Sequence, residues 1–180
     1  MNYETILLEI KDRVGDVEYV LIGGLAATVH GASIVTLDTD ICFRQTPENC
    51  ERLARALAAV GAEIYPTRSV EIPITGELLL KNRIVHLRTR AGRLDIMARV
   101  PGLGGYDELV EEAVTISVGD LPVPLLSLDQ LIQAKSALDQ PKDREHLDQL
   151  KAIGVPCSDA NVVGLVQAMA ALPEDRLPAD

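Results

Sequence analysis

The 180-residue sequence predicts an α/β (α+β) fold, a mixed β-sheet flanked by helices with a C-terminal helical section. Short β-branched runs alternate with segments whose apolar residues recur at helical spacing. The runs of strand type lie before residue 126, and from residue 127 the pattern is helical. We therefore expect an α/β core over residues 1–126, a helical section packed on it over 127–172, and a loose tail over 173–180.

The most informative stretch joins two predicted strands through a pair of glycines. Residues 17–22 form a β-branched run that leads directly into Gly23-Gly24, and a short Ala-rich helix follows. A second strand is expected over residues 36–43. Glycines at the start of this helix allow backbone N–H groups to approach an anion closely, as in phosphate-binding turns.

Two carboxylates lie on the second of these strands. Asp38 and Asp40 are two positions apart, so their side chains point to the same face of the sheet. Like charges at that separation repel each other unless a cation lies between them, and Mg²⁺ prefers such oxygen ligands. A phosphate-binding turn beside a metal-binding carboxylate pair indicates nucleotide chemistry.

These residues resemble a known superfamily. The pattern resembles that of the nucleotidyltransferases with the polymerase-β-type fold. It consists of a hydrophobic residue, Gly23-Gly24, a gap of thirteen residues (25–37) and Asp-x-Asp. Within this superfamily, Ala27, His30-Gly31 and Thr36-x-Asp38-x-Asp40 resemble the bacterial branch that includes AbiEii-type toxin nucleotidyltransferases. The resemblance covers roughly residues 17–151.

The resemblance implies transfer of a nucleoside monophosphate from an NTP to a hydroxyl of an RNA, a protein or a small molecule. It also implies Mg²⁺ or Mn²⁺ as cofactor and an antitoxin as a partner. The implied metal ligands and catalytic residues are Asp38, Asp40 and Asp95, and the implied nucleotide-binding residues are Gly23, Gly24, Thr36 and Lys135.

Two of these residues have alternative explanations in the sequence. Asp95 interrupts a hydrophobic strand, where an unpaired buried carboxylate is unfavourable, so it either completes the metal site or faces solvent on an edge strand. Lys135 lies on a helix whose other marked positions are apolar. It either reaches the phosphates of the nucleotide or extends along the surface as an ordinary lysine.

The sequence departs from the branch at three positions that often carry arginine in relatives. They are occupied here by Ile34, Leu138 and Gln140. Loss of these cations would weaken triphosphate binding or change the substrate. The alternative function is therefore a catalytically inactive protein of the same fold that binds a nucleotide or a partner protein.

The remaining elements follow from local signals. Thr46-Pro47-Glu48 is a strong helix start, and the helix should end at Gly61. Other helices are predicted over residues 3–13, 106–113, 141–154 and 159–172, with one starting near residue 127. Strands are predicted over 62–65, 78–80, 84–89, 93–97, 114–118 and 121–125, with a turn at Ala91-Gly92. The glycine-rich stretch 101–105 is expected to be a loop, with a mobile lid as the alternative.

The charge pattern bears on partners. The formal net charge of −10 argues against a basic surface that grips nucleic acid. One stretch is nevertheless rich in arginine and lies beside Asp95: Arg83, Arg88, Arg90, Arg93 and Arg99. We find no signal-peptide layout and no membrane-spanning run, and expect a soluble cytoplasmic protein. A homo-oligomer through the apolar segment 159–172 is compatible with the sequence.

The cysteines and histidines of the sequence form no pattern that predicts a second site. Cys42, Cys50 and Cys157 are odd in number and lack metal-ligand spacing, which suits a reducing compartment. His30, His86 and His146 form no zinc pattern with them. We expect His30 to be a structural histidine.

Overall fold

The structure is a computed structural model that describes residues 17–34, 36, 38–66, 72–118, 121–138 and 141–153. The predicted helices over 3–13 and 159–172, Cys157, Gln140 and the tail 173–180 lie outside the described residues.

The described chain alternates strands and helices. The strands are β1 (Tyr19–Ile22), β2 (Asp38–Phe43), β3 (Glu63–Ile64), β4 (Ile84–Thr89), β5 (Gly92–Met97), β6 (Arg99–Val100), β7 (Gly104–Gly105), β8 (Val114–Val118) and β9 (Leu121–Leu125). The helices are α1 (Gly23–Val29), α2 (Pro47–Ala59), α3 (Gly76–Lys81), α4 (Tyr106–Val110), α5 (Leu128–Leu138) and α6 (Pro141–Ala152). None of these helices is long and apolar enough to cross a membrane.

Seven strands form one mixed sheet in the order β3-β4-β5-β2-β1-β9-β8, and β6 and β7 form a separate pair. β2 runs antiparallel to β1 and parallel to β5. The hairpins β4–β5 and β8–β9 are antiparallel, and β9 joins β1 in parallel. The predicted mixed sheet flanked by helices is therefore confirmed.

The β4–β5 hairpin has one buried and one open face. Val85 and Leu87 of β4 and Leu94 and Ile96 of β5 are buried in the core. Helices α2 and α3 contribute leucines to the same core: Leu53, Leu57 and Leu79. The alternate residues of β4 are exposed, so this part of the sheet presents a face that the described helices leave open.

Helix α1 packs closely on the sheet because its residues are small. Ala26 and Ala27 have no exposed surface. At its end, His30 is buried and its Nε2 lies 2.8 Å from the carbonyl oxygen of Leu126, which follows β9. Burial lowers the pKa of His30, which keeps the imidazole neutral in this position. These contacts support the structural role expected for His30.

Several predicted boundaries hold, but one element was wrong, and the stretch 101–105 expected to be a loop ends in strand β7, Gly104–Gly105. Thr46 accepts a hydrogen bond from the Asn49 N–H at 3.3 Å as the N-cap of α2, as predicted. The strand predicted over residues 78–80 is instead part of helix α3. Thr75 caps this helix by accepting from the Leu78 N–H, and Leu79 alone of the leucine triplet is fully buried. Three consecutive leucines carry no periodicity, so the preceding cap decides the conformation.

Candidate functional site

Three carboxylates meet on the open face of the sheet. Asp38 and Asp40 project from β2 to one side, and Asp95 lies on β5 directly beside Asp40 in the parallel pairing. One oxygen from each carboxylate lies within 4.8 Å of the others. Each of the three residues is partly buried, so the cluster stands at the surface with restricted solvent access. The structure thus brings together the three aspartates that the sequence singled out.

The cluster carries unbalanced negative charge. The pKa of Asp40 is raised to about 7, first by burial and then by the charges of Asp38 and Asp95. A hydrogen bond from the Gly24 N–H and the charge of Lys135 act in the opposite direction but are outweighed. The site therefore favours a bound cation or proton near Asp40.

Both glycines are required by close packing, Gly23 against Asp40 and Gly24 against Thr36. Gly23 has a φ of +70°, and a Cβ there would overlap the Asp40 carboxylate. A Cβ on Gly24 would lie 2.9 Å from Oγ1 of Thr36. The Gly24 N–H, which we expected to face a phosphate, donates to Asp40 in this structure. The turn is thus closely fitted to the carboxylate strand.

Thr36 and Lys135 lie at the same site. Thr36 Oγ1 donates to Oδ1 of Asp38 at 2.8 Å, so its described contact is with a carboxylate of the cluster. Lys135 on α5 is partly buried, and its charge lowers the pKa of Asp40. Their predicted contact with a nucleotide stays a prediction, as do the nucleotide-binding roles of both glycines.

The sequence analysis missed His86. This residue of β4 faces Asp95 across the hairpin, and its Nδ1 lies 3.0 Å from Asp95 Oδ1, so the imidazole and the carboxylate are in close contact. The imidazole is 58% exposed, so its other nitrogen is open to solvent. His86 is thus placed to restrict the position of the Asp95 carboxylate.

Two of the three positions at which relatives often carry arginine, Ile34 and Leu138, lie among the described residues. Ile34 is buried in the core, so the position where relatives often carry arginine here contributes to packing. Leu138 is 40% exposed at the end of α5. The glycine-rich loop is attached to the same helix, because Gln133 Nε2 donates to the Gly102 carbonyl oxygen at 2.9 Å.

We expect Gly23→Ala to disrupt the site beyond its effect on the backbone. A side chain at positive φ costs about 1 to 2 kcal/mol of stability, and at Gly23 the new methyl group must also displace the Asp40 carboxylate. Mn²⁺ affinity should fall about tenfold or more, as measured by the EPR signal of free Mn²⁺. Gly31→Ala is the matched control, because Gly31 has a φ of +103° and no atom of the described residues lies within 4 Å of the added Cβ. Equal Mn²⁺ affinity in the two variants would contradict the packing role.

We expect His86→Ala to weaken Mn²⁺ binding by about tenfold, because the close contact that positions Asp95 is removed. His86→Asn keeps a short side-chain N–H donor and should restore part of the affinity. The same EPR titration measures both. Unchanged affinity in His86→Ala would show that His86 does not position Asp95.

No protein-family model matches the sequence, and no curated protein matches it. Solved structures do resemble it. LnuA, a lincosamide antibiotic adenylyltransferase solved with lincomycin, aligns at a TM-score of 0.57 and 18% identity, covering 85% of this chain and 98% of its own. ANT(2'')-Ia, solved with adenylyl-2''-tobramycin, aligns at 0.54 and 15%, covering 95% and 98%.

TM1012 of Thermotoga maritima, described as a candidate nucleotidyltransferase, aligns at a TM-score of 0.53 and 19% identity, covering 83% of this chain and 92% of its own. At these identities the similarity establishes the fold, which is the mixed sheet and flanking helices of nucleotidyltransferases.

Proposed function

We propose that this protein is a metal-dependent nucleotidyltransferase that transfers a nucleoside monophosphate from an NTP to an acceptor hydroxyl. The observation that carries the proposal is the convergence of Asp38, Asp40 and Asp95 on the open sheet face. The fold supports it, because structures that share the fold belong to adenylyltransferases.

The donor set fits Mg²⁺ or Mn²⁺. Carboxylate oxygens are the preferred ligands of these hard ions. The pKa of Asp40 is raised by burial and then by the charges of Asp38 and Asp95, and a dication would balance that charge. Asp38, Asp40 and Asp95 would hold the metal. When bound, it would neutralise charge on the α-phosphate and on the leaving pyrophosphate.

The residues would then act as follows. The acceptor hydroxyl oxygen attacks the α-phosphorus as the bond from this phosphorus to the bridging oxygen breaks, and pyrophosphate leaves with that electron pair. Asp95 receives the hydroxyl proton, with His86 holding the carboxylate in place. Lys135 stabilises the charge on the β- and γ-phosphates. Gly23 and Gly24 shape the turn that receives the nucleotide.

The acceptor is proposed to be a small molecule. LnuA was solved with lincomycin and ANT(2'')-Ia with adenylyl-2''-tobramycin, and the chain spans nearly the full length of both. RNA and protein acceptors follow from the sequence resemblance and are included in the test.

The test is transfer of label from each α-³²P-labelled NTP in the presence of Mg²⁺ or Mn²⁺. The acceptors are a small-molecule extract, total RNA and a protein extract. Label should move to one acceptor class and stay on the NTP when the metal is chelated. Absence of both transfer and metal-dependent NTP binding would overturn the proposal.

A second candidate is a protein that binds a nucleotide and has lost catalysis. The buried Ile34 favours it, because this position often carries an arginine in relatives and here contributes to the core. Metal-dependent NTP binding without transfer to any acceptor class would support this alternative.

The biological role that we propose is that of the toxin in a toxin–antitoxin pair, on the strength of the sequence resemblance. Expression should arrest growth, and Asp38→Ala should abolish the arrest. Normal growth at high expression of the intact protein, without a neighbouring antitoxin gene, would contradict this role.

A further inference from the structure

A cavity opens at the end of the β4–β5 hairpin where β4 begins. Its volume is about 540 Å³, within the range of small-molecule sites. It lies between the start of β4 and the loop after β6. Its lining includes Arg83, Ile84, Arg99, Leu103, Gly104 and Glu108.

The position of Ile84 gives the spacing between the cavity and the carboxylates. Ile84 lies on the same face of β4 as His86 and pairs with Met97, which is two residues beyond Asp95 on β5. Two residues of a strand span roughly 7 Å. In the sheet order, β2 and β5 lie between β1, which leads into the glycine turn, and β4, which borders the cavity. The carboxylates therefore separate the proposed nucleotide side from the cavity.

The charges at the cavity favour an anion. Among the described residues no carboxylate forms an ion pair with Arg83, although Arg88 on the same hairpin is paired with Glu63 at 3.3 Å. Arg99 lies 3.8 Å from Glu108, beyond hydrogen-bond distance. The other carboxylate oxygen of Glu108 accepts from the Gly105 N–H at 2.9 Å. The lining thus includes two arginines and one carboxylate that already has a backbone partner.

The cavity also has an apolar wall. Ile84 is 52% exposed, which is unusual for a strand residue of this size, and Leu103 is partly buried beside it. A ligand that covers Ile84 would bury apolar surface while its charged end contacts the guanidinium groups.

We propose that this cavity is the acceptor site and that the acceptor is a small hydroxyl compound with a phosphate or carboxylate group. Arg83 and Arg99 bind the anionic group, Ile84 and Leu103 contact the apolar part, and the hydroxyl is directed toward Asp95. This rests on the proposed function. A polycation such as tobramycin would be repelled by the arginines, so the acceptor differs in charge from the product bound to ANT(2'')-Ia.

The test is binding in metal-free buffer without NTP, followed by amide chemical shifts in NMR. The probes are inorganic phosphate, gluconate and ribose 5-phosphate as anions, ribose as the neutral counterpart, and tobramycin as the polycation. We expect at least one anion to shift the amides of Gly102, Leu103 and Gly104, and ribose to bind about tenfold more weakly than its phosphate.

Substitutions of single arginines test whether the anion binds in the cavity. Arg83→Ala and Arg99→Ala should each weaken binding of the anion by about tenfold. Arg90→Ala is the matched control, because it removes the same charge from an exposed arginine at the opposite end of the hairpin. It should leave the affinity unchanged. An equal loss in Arg90→Ala would attribute binding to general charge and overturn the proposal.

The remaining outcomes separate this proposal from the proposed function. If no anion shifts the cavity amides at about 10 mM, or if tobramycin binds there more tightly, the proposal is wrong. If label is transferred to tobramycin but to no anionic compound, the transferase function stands and the acceptor class is wrong. If anions bind as expected but no NTP binds, the transferase function fails, and with it the assignment of the cavity as an acceptor site.

Discussion

Asp38→Ala is expected to reduce nucleotidyl transfer about a thousandfold or more while the protein stays folded. Loss of charge stabilisation by a bound metal removes several kcal/mol from transition-state binding, and each 1.4 kcal/mol corresponds to about a factor of ten. Asp38 is partly buried, and its described side-chain hydrogen bond comes from Thr36, so no core contact is lost. Removal of its charge also relieves repulsion on Asp40.

The measurement compares initial rates of label transfer with the thermal midpoint of unfolding for each variant. Asp129→Ala is the matched control, because Asp129 is an exposed aspartate in the first turn of α5, away from the cluster. We expect full activity in this control and an unchanged or higher midpoint in Asp38→Ala. Activity that persists in Asp38→Ala would show that the metal assignment is wrong.

The metal-free protein is expected to lose stability as the pH rises from about 4 to about 7. The pKa of Asp40 is raised from 3.8 to about 7 in the folded state, so the folded state binds this proton more tightly than the unfolded state does. The stabilisation is therefore complete below the unfolded pKa and is lost as the pH rises through the folded pKa. The expected change in the free energy of unfolding is between about 1 and 4 kcal/mol.

Asp40→Asn isolates this contribution, because other groups titrate in the same pH range. Denaturant unfolding should show the intact protein losing stability relative to Asp40→Asn between about pH 4 and pH 8. Asp129→Asn supplies the control, because it makes the same substitution at an exposed position outside the cluster. A pH-independent difference between the intact protein and Asp40→Asn would contradict the raised pKa.

Mg²⁺ or Mn²⁺ should restore the stability lost at high pH. A ligand that binds only the folded state stabilises it by mass action, and protons compete for the same carboxylate oxygens. The rise in thermal midpoint on adding metal should thus be larger near pH 8 than near pH 5. Asp40→Asn should show little rise at either pH.

Sequence periodicity was enough to predict the carboxylates of β2. Asp38 and Asp40 share a face because strand side chains alternate, and this holds in any register. The position of Asp95 beside Asp40 required the parallel pairing of β2 with β5, which the alternation of β5 alone does not specify. The family resemblance supplied that information.

The contact of His86 with Asp95 could not be predicted because it depends on the register of one hairpin. A two-residue turn at Ala91-Gly92 would place Arg88 opposite Asp95. The structure has the turn one residue earlier, with Thr89 paired to Gly92, and this brings His86 opposite Asp95. The cavity could not be predicted from local sequence patterns either, because its walls come from segments that only the folded hairpin brings together.

The attachment of β9 has a consequence for motion. β9 pairs with β1 through Leu21 and Leu125 alone in the described sheet, with one more backbone hydrogen bond from the Leu126 N–H to the Leu21 carbonyl oxygen. Helix α5, which carries Lys135, follows directly. We expect this short pairing to open locally, with faster amide hydrogen exchange than at the long β2–β5 pairing. We expect each opening of the β1–β9 pairing to move Lys135 relative to the carboxylates and so to favour the release of a bound product.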